Sequence, residues 1–230
     1  MAAQNEPGKR QLALDLVYRP AFGREDFLVG SSNAAAVAWL DRWPDWAGRG
    51  LVIHGPAGSG KSHLASVWRA TSGARVLDTG PEGLREATGA HRSGECVVVE
   101  DVDPPFDERA LLHLYNAVTA DGGFVLLTAR AAPAAMPLTL PDLASRLRAL
   151  PAVALSDPDD DLLAVVLMKL LADRQVGVPV DVVRYLVERM ERSFEAAGRL
   201  AAALDRASLA ARRPIGRGMA GRVLAEMETG

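Results

Sequence analysis

Residues 55–62 read Gly55-Pro56-Ala57-Gly58-Ser59-Gly60-Lys61-Ser62 and fit the pattern G-x-x-x-x-G-K-[ST]. The apolar run Leu51-Val52-Ile53 leads into this stretch, and His63-Leu64-Ala65-Ser66-Val67-Trp68-Arg69 continues it as a helix-compatible segment. Strand, glycine loop and helix in that order are the context a phosphate-binding P-loop requires. The glycines let backbone N–H groups turn inward around phosphate oxygens, and the helix N-terminus adds the positive end of its dipole. Lys61 is placed to reach β- and γ-phosphates and Ser62 to hold Mg²⁺. The bland alternative is a glycine turn between a strand and a helix.

With 230 residues the chain has room for one large domain, or a medium domain and a small one. A net charge of −3 argues against a generally basic nucleic-acid binder, though not against a local basic patch. Lysine occurs only at Lys9, Lys61 and Lys169 in an arginine-rich chain, which makes its retention in the glycine loop more pointed. A single cysteine, Cys96, leaves no internal disulfide framework, fits a reducing cytosol, and begins an apolar run as a buried thiol would. Neither a signal peptide nor a membrane span is expected, and the four histidines show no metal-ligand spacing.

Hydrophobic patterning divides the chain into three parts. Residues 1–22 read as a mobile tail carrying one strictly alternating hexapeptide, Gln11-Leu12-Ala13-Leu14-Asp15-Leu16. Its leucines suit an extended peptide docking into a partner's pocket, although short leucine-rich hexapeptides also arise by chance. Residues 23–155 alternate helices and strands. A helix is expected over 31–43, capped by Ser31 or Ser32, and strands at 51–53, 74–78, 96–101, 123–128 and 152–155. Amphipathic helices are expected over 107–120 and 141–147. Residues 156–230 read as helices alone, over 159–174, 179–191, 193–212 and 217–228. The run Asp157-Pro158-Asp159-Asp160-Asp161 supplies an N-cap with proline at the first helical position. This pattern predicts a parallel α/β sheet followed by a small all-α domain.

Several side chains outside the loop suit the same chemistry. Glu100 and Asp101 end the third strand, where a P-loop NTPase needs an acid for its magnesium shell. The aspartate usually comes first, so the reversed order either still reaches the ion or weakens hydrolysis. Thr128 ends the fourth strand, where a hydroxyl can face the γ-phosphate or simply serve β-propensity. Arg146 precedes the fifth strand and suits a finger supplied to a neighbour's nucleotide, with Arg148 as its competitor. Arg192, Glu195, Arg199 and Arg206 lie in or beside the helix 193–212, where an arginine could touch phosphate or serve as surface charge.

Taken together these residues resemble the initiator-type AAA+ ATPases, and among them the Hda-type regulators related to the replication initiator DnaA. The resemblance runs from about residue 11 to about residue 210 and rests on four further segments. Phe27-Leu28-Val29-Gly30-Ser31-Ser32-Asn33 looks like the segment lining the adenine pocket, which implies Val29 and Gly30 there. Leu140-Pro141-Asp142-Leu143-Ala144-Ser145-Arg146-Leu147 looks like the arginine-finger box, which makes Arg146 the finger. Leu204-Asp205-Arg206-Ala207-Ser208 is similar to the end of the lid helix, and residues 11–16 look like the motif that binds the β sliding clamp.

The resemblance implies a five-stranded P-loop AAA+ sheet of order 5-1-4-3-2 with a helical lid, binding ADP or ATP with Mg²⁺. The loop from Gly55 to His63 would hold the nucleotide. Glu100 and Asp101 would join Ser62 at the magnesium ion. Gln11, Leu12, Leu14 and Leu16 would dock on the sliding clamp, linking the chain to DNA indirectly. Arg146 would act on ATP bound to the initiator DnaA, limiting re-initiation of replication. A cytoplasmic, nucleoid-associated location and possible self-association follow. Three departures stand out: the reversed acids, Ala129-Arg130 where initiators often carry serine and aspartate, and Glu195 at the usual lid arginine. Arg192 or Arg199 is the expected substitute at that lid position. The resemblance also leads one to expect a chain without the helix-turn-helix domain that follows the lid in an initiator proper. The alternative reading is a free-standing ATPase acting as a helicase or clamp loader, or an initiation factor.

Overall fold

Val97, Val98 and Val99 are each fully buried, which only a strand covered on both faces allows. Each buried valine contributes about 1.5–3 kcal/mol relative to exposure. In the computed structural model, which describes residues 28–77 and 80–228, these valines form the third strand of a parallel sheet. Helix α1 (Ala34–Asp41) precedes β1 (Gly50–His54). The glycine loop leads into α2 (Lys61–Ser72), followed by β2 (Arg75–Leu77), α3 (Pro81–Ala90), β3 (Val97–Val99), α4 (Glu108–Ala120) and β4 (Val125–Ala129). Then come α5 (Pro141–Ala149) and β5 (Ala152–Ala154). The strand order is β2-β3-β4-β1-β5 with every pairing parallel, the expected 5-1-4-3-2 read from the other edge.

Alternation along the strands assigns the two faces. Leu51, Ile53, Val98, Leu126 and Val153 pack with Leu40, Leu64 and Trp68 from α1 and α2. Val52, Val97, Val99, Val125 and Leu127 pack with Leu84, Leu111, Leu114 and Leu147 from α3, α4 and α5. After β5 the described residues form α6 (Asp160–Asp173), α7 (Val180–Val187), α8 (Phe194–Ala211) and α9 (Arg217–Glu228). Leu163, Leu167, Val183, Leu186, Leu200, Leu204 and Val223 give these helices a core of their own. No described helix is long and apolar enough to cross a membrane.

The structure corrects three local expectations. The cap of α6 is Asp159, whose Oδ1 accepts the N–H of Leu162 at 2.8 Å, so the helix starts two residues after Pro158. Asn33 takes the N-cap position of α1 in place of Ser31 or Ser32. Its Oδ1 accepts the N–H of Gly30 at 2.9 Å, while Ser31 Oγ donates to Asp159 at 2.6 Å. Helix α3 was not expected, because Gly83, Thr88 and Gly89 hide its pattern. Leu84 and Ala87, 0% and 1% exposed, are enough to seat it. Cys96 is buried as expected, and burial pushes its thiol up. The hexapeptide 11–16, the tail 1–22 and Phe27 lie outside the described residues.

Candidate nucleotide site

β1 delivers the glycine loop to the C-terminal edge of the sheet, where ligands of open parallel sheets bind. The loop is tied to the neighbouring strand by Gly55, whose N–H donates to Ala129 O at 3.1 Å. Gly58 has φ +73°, a conformation that side chains disfavour. A Cβ there would lie 2.5 Å from the Ser193 side chain, so the lid also requires glycine at this position. Phe194, the first residue of α8, donates its N–H to Gly58 O at 3.0 Å.

Lys61 is only 7% exposed and donates to Gly55 O at 2.9 Å and Pro56 O at 2.7 Å. Burial pulls its pKa below the ordinary lysine value. The carboxylates of Asp101 and Asp103 work against that shift, and the Arg130 guanidinium adds to it. Ser59 Oγ is buried and makes no hydrogen bond. Ser62 and His63 are exposed at the start of α2. Pro56 and Ala57 complete the loop.

The acids are placed by a turn that the fourth strand holds. Asp101 adopts φ +52°, and its N–H donates to Thr128 Oγ1 at 3.0 Å. Val102 N–H donates to Thr128 O at 2.8 Å. Thr128 is wholly buried, so its hydroxyl fixes the Asp101 turn. Glu100 is half-buried where β3 ends. Asp103, which the sequence pattern did not single out, accepts the N–H of Arg130 at 2.9 and 3.1 Å. Only strand pairing brings Asp103 and Arg130 beside the loop, so no local motif marks them.

A cavity of about 670 Å³ opens beside the loop, within the range of small-ligand sites. Ser59, Gly60 and Leu64 form one wall, Leu162 and Val166 another, and Phe194 a third. From the expected adenine segment, Leu28 and Asn33 line it. Val29 packs instead against the core between α1 and the sheet. Gly30 is buried against Leu162, whose Cδ2 lies 2.9 Å from where a Cβ would be. The buried ammonium, the unpartnered Ser59 hydroxyl and the facing acids are the donors and acceptors a magnesium nucleotide takes, so these residues fit that group. Among the described residues no three His, Cys, Asp or Glu side chains are grouped to hold a metal ion. Mg²⁺ at such sites draws most of its oxygens from phosphate and water.

The expected finger lies away from the loop. Arg146 is exposed on α5, in a groove of about 540 Å³ shared with Gly48, Tyr115, Asn116, Asp142 and Leu150. Gly48 and Leu150 precede β1 and β5, so this groove lies at the end of the strands opposite the glycine loop. Arg146 therefore does not serve the chain's own loop. Its charge lowers the Tyr115 phenol pKa, but burial raises it more. Arg148 is exposed on the same helix. On the lid, Arg192 pairs with Asp160 at 2.9 Å. Arg199 pairs with Glu195 at 2.8 Å and Glu191 at 3.2 Å. Ser193 and Phe194 are lid residues that touch the loop.

No protein-family model matches this sequence. No curated protein matches it either. Solved structures do. Domain III of the Thermotoga maritima replication initiation protein DnaA superposes with a TM-score of 0.75 at 18% identity, over 91% of this chain and 98% of that one. AMPPCP-bound DnaA from Aquifex aeolicus gives 0.66 at 17%, over 93% of this chain and 71% of that one. The Thermotoga maritima RuvB Holliday junction branch migration motor gives 0.64 at 14%, over 77% and 61%. At these identities the likeness speaks for the fold, and the fold of this chain is a DnaA-like AAA+ P-loop sheet followed by a helical lid.

Proposed function

We propose that this chain is an Hda-type regulator of replication initiation, which binds adenine nucleotide and acts on ATP held by the initiator DnaA. The observation that carries the reading is the position of Arg146, exposed on α5 at the opposite end of the sheet from the chain's own glycine loop. A finger aimed away from its own nucleotide suits a neighbour's. The AMPPCP bound to a DnaA of the same fold supports the nucleotide half of the reading.

In this reading the glycine loop would hold ADP or ATP with Mg²⁺, which would supply the phosphate charge that Lys61 faces. Lys61 turns from the carbonyls of Gly55 and Pro56 to phosphate oxygens. Ser62 and the acids Glu100 and Asp101 orient the magnesium shell, and Thr128 holds Asp101 in place. The lid contact through Ser193 and Phe194 keeps the body rigid. The α/β part, residues 23–155, and the lid, residues 156–230, then present Arg146 to the γ-phosphate on the initiator. Its planar guanidinium stabilises charge developing there. The tail, residues 1–22, docks Gln11, Leu12, Leu14 and Leu16 on the β sliding clamp. That places the chain beside nucleoid DNA in the cytoplasm, and self-association through the same edges is part of the reading.

Arginine fingers contribute about 10³–10⁵-fold in turnover. The test is ATP hydrolysis by the initiator with this chain and a DNA-loaded clamp, using the wild type and Arg146→Ala. The substitution is expected to return hydrolysis to the initiator's basal rate while nucleotide binding persists. Stimulation retained in Arg146→Ala sinks the finger assignment. A second reading, a free-standing ATPase of helicase or clamp-loader type, draws on the likeness to the RuvB motor and on the chain's own facing acids. It predicts turnover that needs neither initiator nor clamp.

A further inference from the structure

Residues 206–225 hold five arginines, Arg206, Arg212, Arg213, Arg217 and Arg222, and no aspartate, glutamate or lysine. In a chain of net charge −3 this is a local excess of positive charge. The five fall where α8 ends and α9 begins, joined by the turn 212–216, and all are exposed. Other lid arginines are neutralised by acids: Arg189 by Glu188, Arg192 by Asp160, and Arg199 by Glu191 and Glu195. Among the described residues none of the five forms an ion pair.

The turn holds these charges in place. Ser208 Oγ donates to Arg213 O at 3.0 Å, and Arg213 N–H donates to Ser208 O at 3.4 Å. Arg212 caps α8 with φ +48°, in the left-handed region that favours glycine. Ile215, 1% exposed, anchors the turn in the lid core. Arg217 Cζ stands 4.7 Å from the centroid of the Tyr185 ring. A guanidinium stacked on a ring keeps its N–H donors in plane for another acceptor. Charges fixed in advance lose little freedom on binding.

The apolar side chains around these arginines narrow the partner. A helix that lies on a membrane needs an apolar face toward the lipid. Met219, Ala220, Val223 and Leu224 of α9 are buried in the lid's own core. Leu209, 70% exposed, is one side chain and not a face. A set of arginines without an apolar anchor matches a row of phosphates, and duplex DNA carries one charge per about 1.7 Å of its axis.

We propose that the turn between α8 and α9 binds the phosphate backbone of double-stranded DNA without reading its sequence. The choice of DNA rests on the reading above, in which a DNA-loaded clamp brings a duplex beside the chain.

The test follows the anisotropy of a fluorescein-labelled duplex of about 20 base pairs, titrated with the full chain over a range of salt, without nucleotide, initiator or clamp. Four neutralised phosphates predict a slope of about −3.6 in log affinity against log salt. Arg212→Gly removes one charge and relieves the turn, so it should fold at least as stably while the slope shrinks by about 1. Arg213→Gln with Arg217→Gln should shrink it by about 2 and weaken binding about 10-fold or more. Arg69→Gln, at an exposed position on α2, should leave the slope as in the wild type. A wild type that does not bind the duplex, or equal slopes in wild type and the turn variants, overturns the inference. Tighter binding to phosphatidylglycerol vesicles or to an RNA duplex of the same sequence, lost in the turn variants, also overturns it. Initiator hydrolysis stimulated through Arg146 reports on the proposed function separately, and persists in the turn variants if only the DNA contact is wrong.

Discussion

The backbone N–H of Phe194 donates to the carbonyl of Gly58 at 3.0 Å, which bonds the first turn of α8 to the middle of the glycine loop. The contact leaves no space between lid and loop at this point, since Ser193 packs where a Gly58 side chain would project. A change in the loop is therefore transmitted to the lid by contact, without an intervening segment.

Gly58→Ala exposes that coupling. The added methyl meets Ser193 at 2.5 Å, and φ +73° disfavours any L side chain. The backbone term alone costs about 1–2 kcal/mol. The variant is expected to unfold at lower urea concentration and to bind adenine nucleotide about 10-fold more weakly, the second effect because the lid must lift. Chemical denaturation and a fluorescent-nucleotide titration read the two separately. Wild-type affinity in a destabilised variant would detach the lid from the site.

Lys61→Ala separates binding from folding. The ammonium is buried against two loop carbonyls, and its burial disfavours the charged form. Removing it therefore changes stability by less than about 1 kcal/mol, since the lost bonds are offset by relieved desolvation. Nucleotide affinity, in contrast, is expected to fall about 100-fold or more. Parallel losses in stability and affinity would make Lys61 a structural residue.

Thr128→Val keeps the volume and removes the acceptor for Asp101 N–H. An unsatisfied donor of this kind costs about 1–3 kcal/mol, less if water reaches it. The turn at Asp101 should also relax, so the Mg²⁺ dependence of nucleotide binding should weaken in the same variant. Thr128→Ser restores the hydroxyl and is expected to recover both. A valine variant with unchanged Mg²⁺ dependence would confine Thr128 to β-propensity.

His91 gives the fold a pH-dependent element away from the loop. Nδ1 lies 2.9 Å from Thr88 O and Nε2 lies 2.6 Å from Asp121 Oδ2, so both nitrogens face acceptors. The Thr88 carbonyl, then Asp121, holds the imidazole pKa above 6.5. A raised folded value means the stabilisation is complete below 6.5 and is lost as pH rises through that folded value. Urea midpoints of the wild type should fall over that interval, and His91→Asn should lack this slope. Equal slopes in the two proteins would remove His91 from the pH response.

Expectation and structure part company at identifiable residues. Runs such as Leu51-Val52-Ile53 and Val97-Val98-Val99 are apolar without a break, so their strand character is written in a few adjacent side chains. Helix α3 is held by two side chains, Leu84 and Ala87, in a segment with two glycines, too few for a period to emerge. Arg192 and Arg199 were expected at phosphate from the likeness to the lid helix, and in this structure each has acidic partners on the lid. Pairing with Asp160, Glu191 and Glu195 satisfies the same charge locally.

Local pattern was sufficient for the glycine loop and for the alternation of strands and helices that predicts a parallel sheet, because each depends on residues near one another in the chain, whereas the strand order came from the resemblance and rests on pairing of β1 with the distant β4 and β5. The surroundings of that loop depend on distant residues. Asp103 and Arg130 reach Lys61 from the ends of β3 and β4, far along the chain from the glycine loop, and Ser193 reaches Gly58 across more than half the chain. Such meetings have no periodicity, since folding sets them through the paths of β3 and β4 and the packing of α8 on the loop. The motif therefore announced a phosphate site, while packing chose which acids, which arginine and which lid residues surround it.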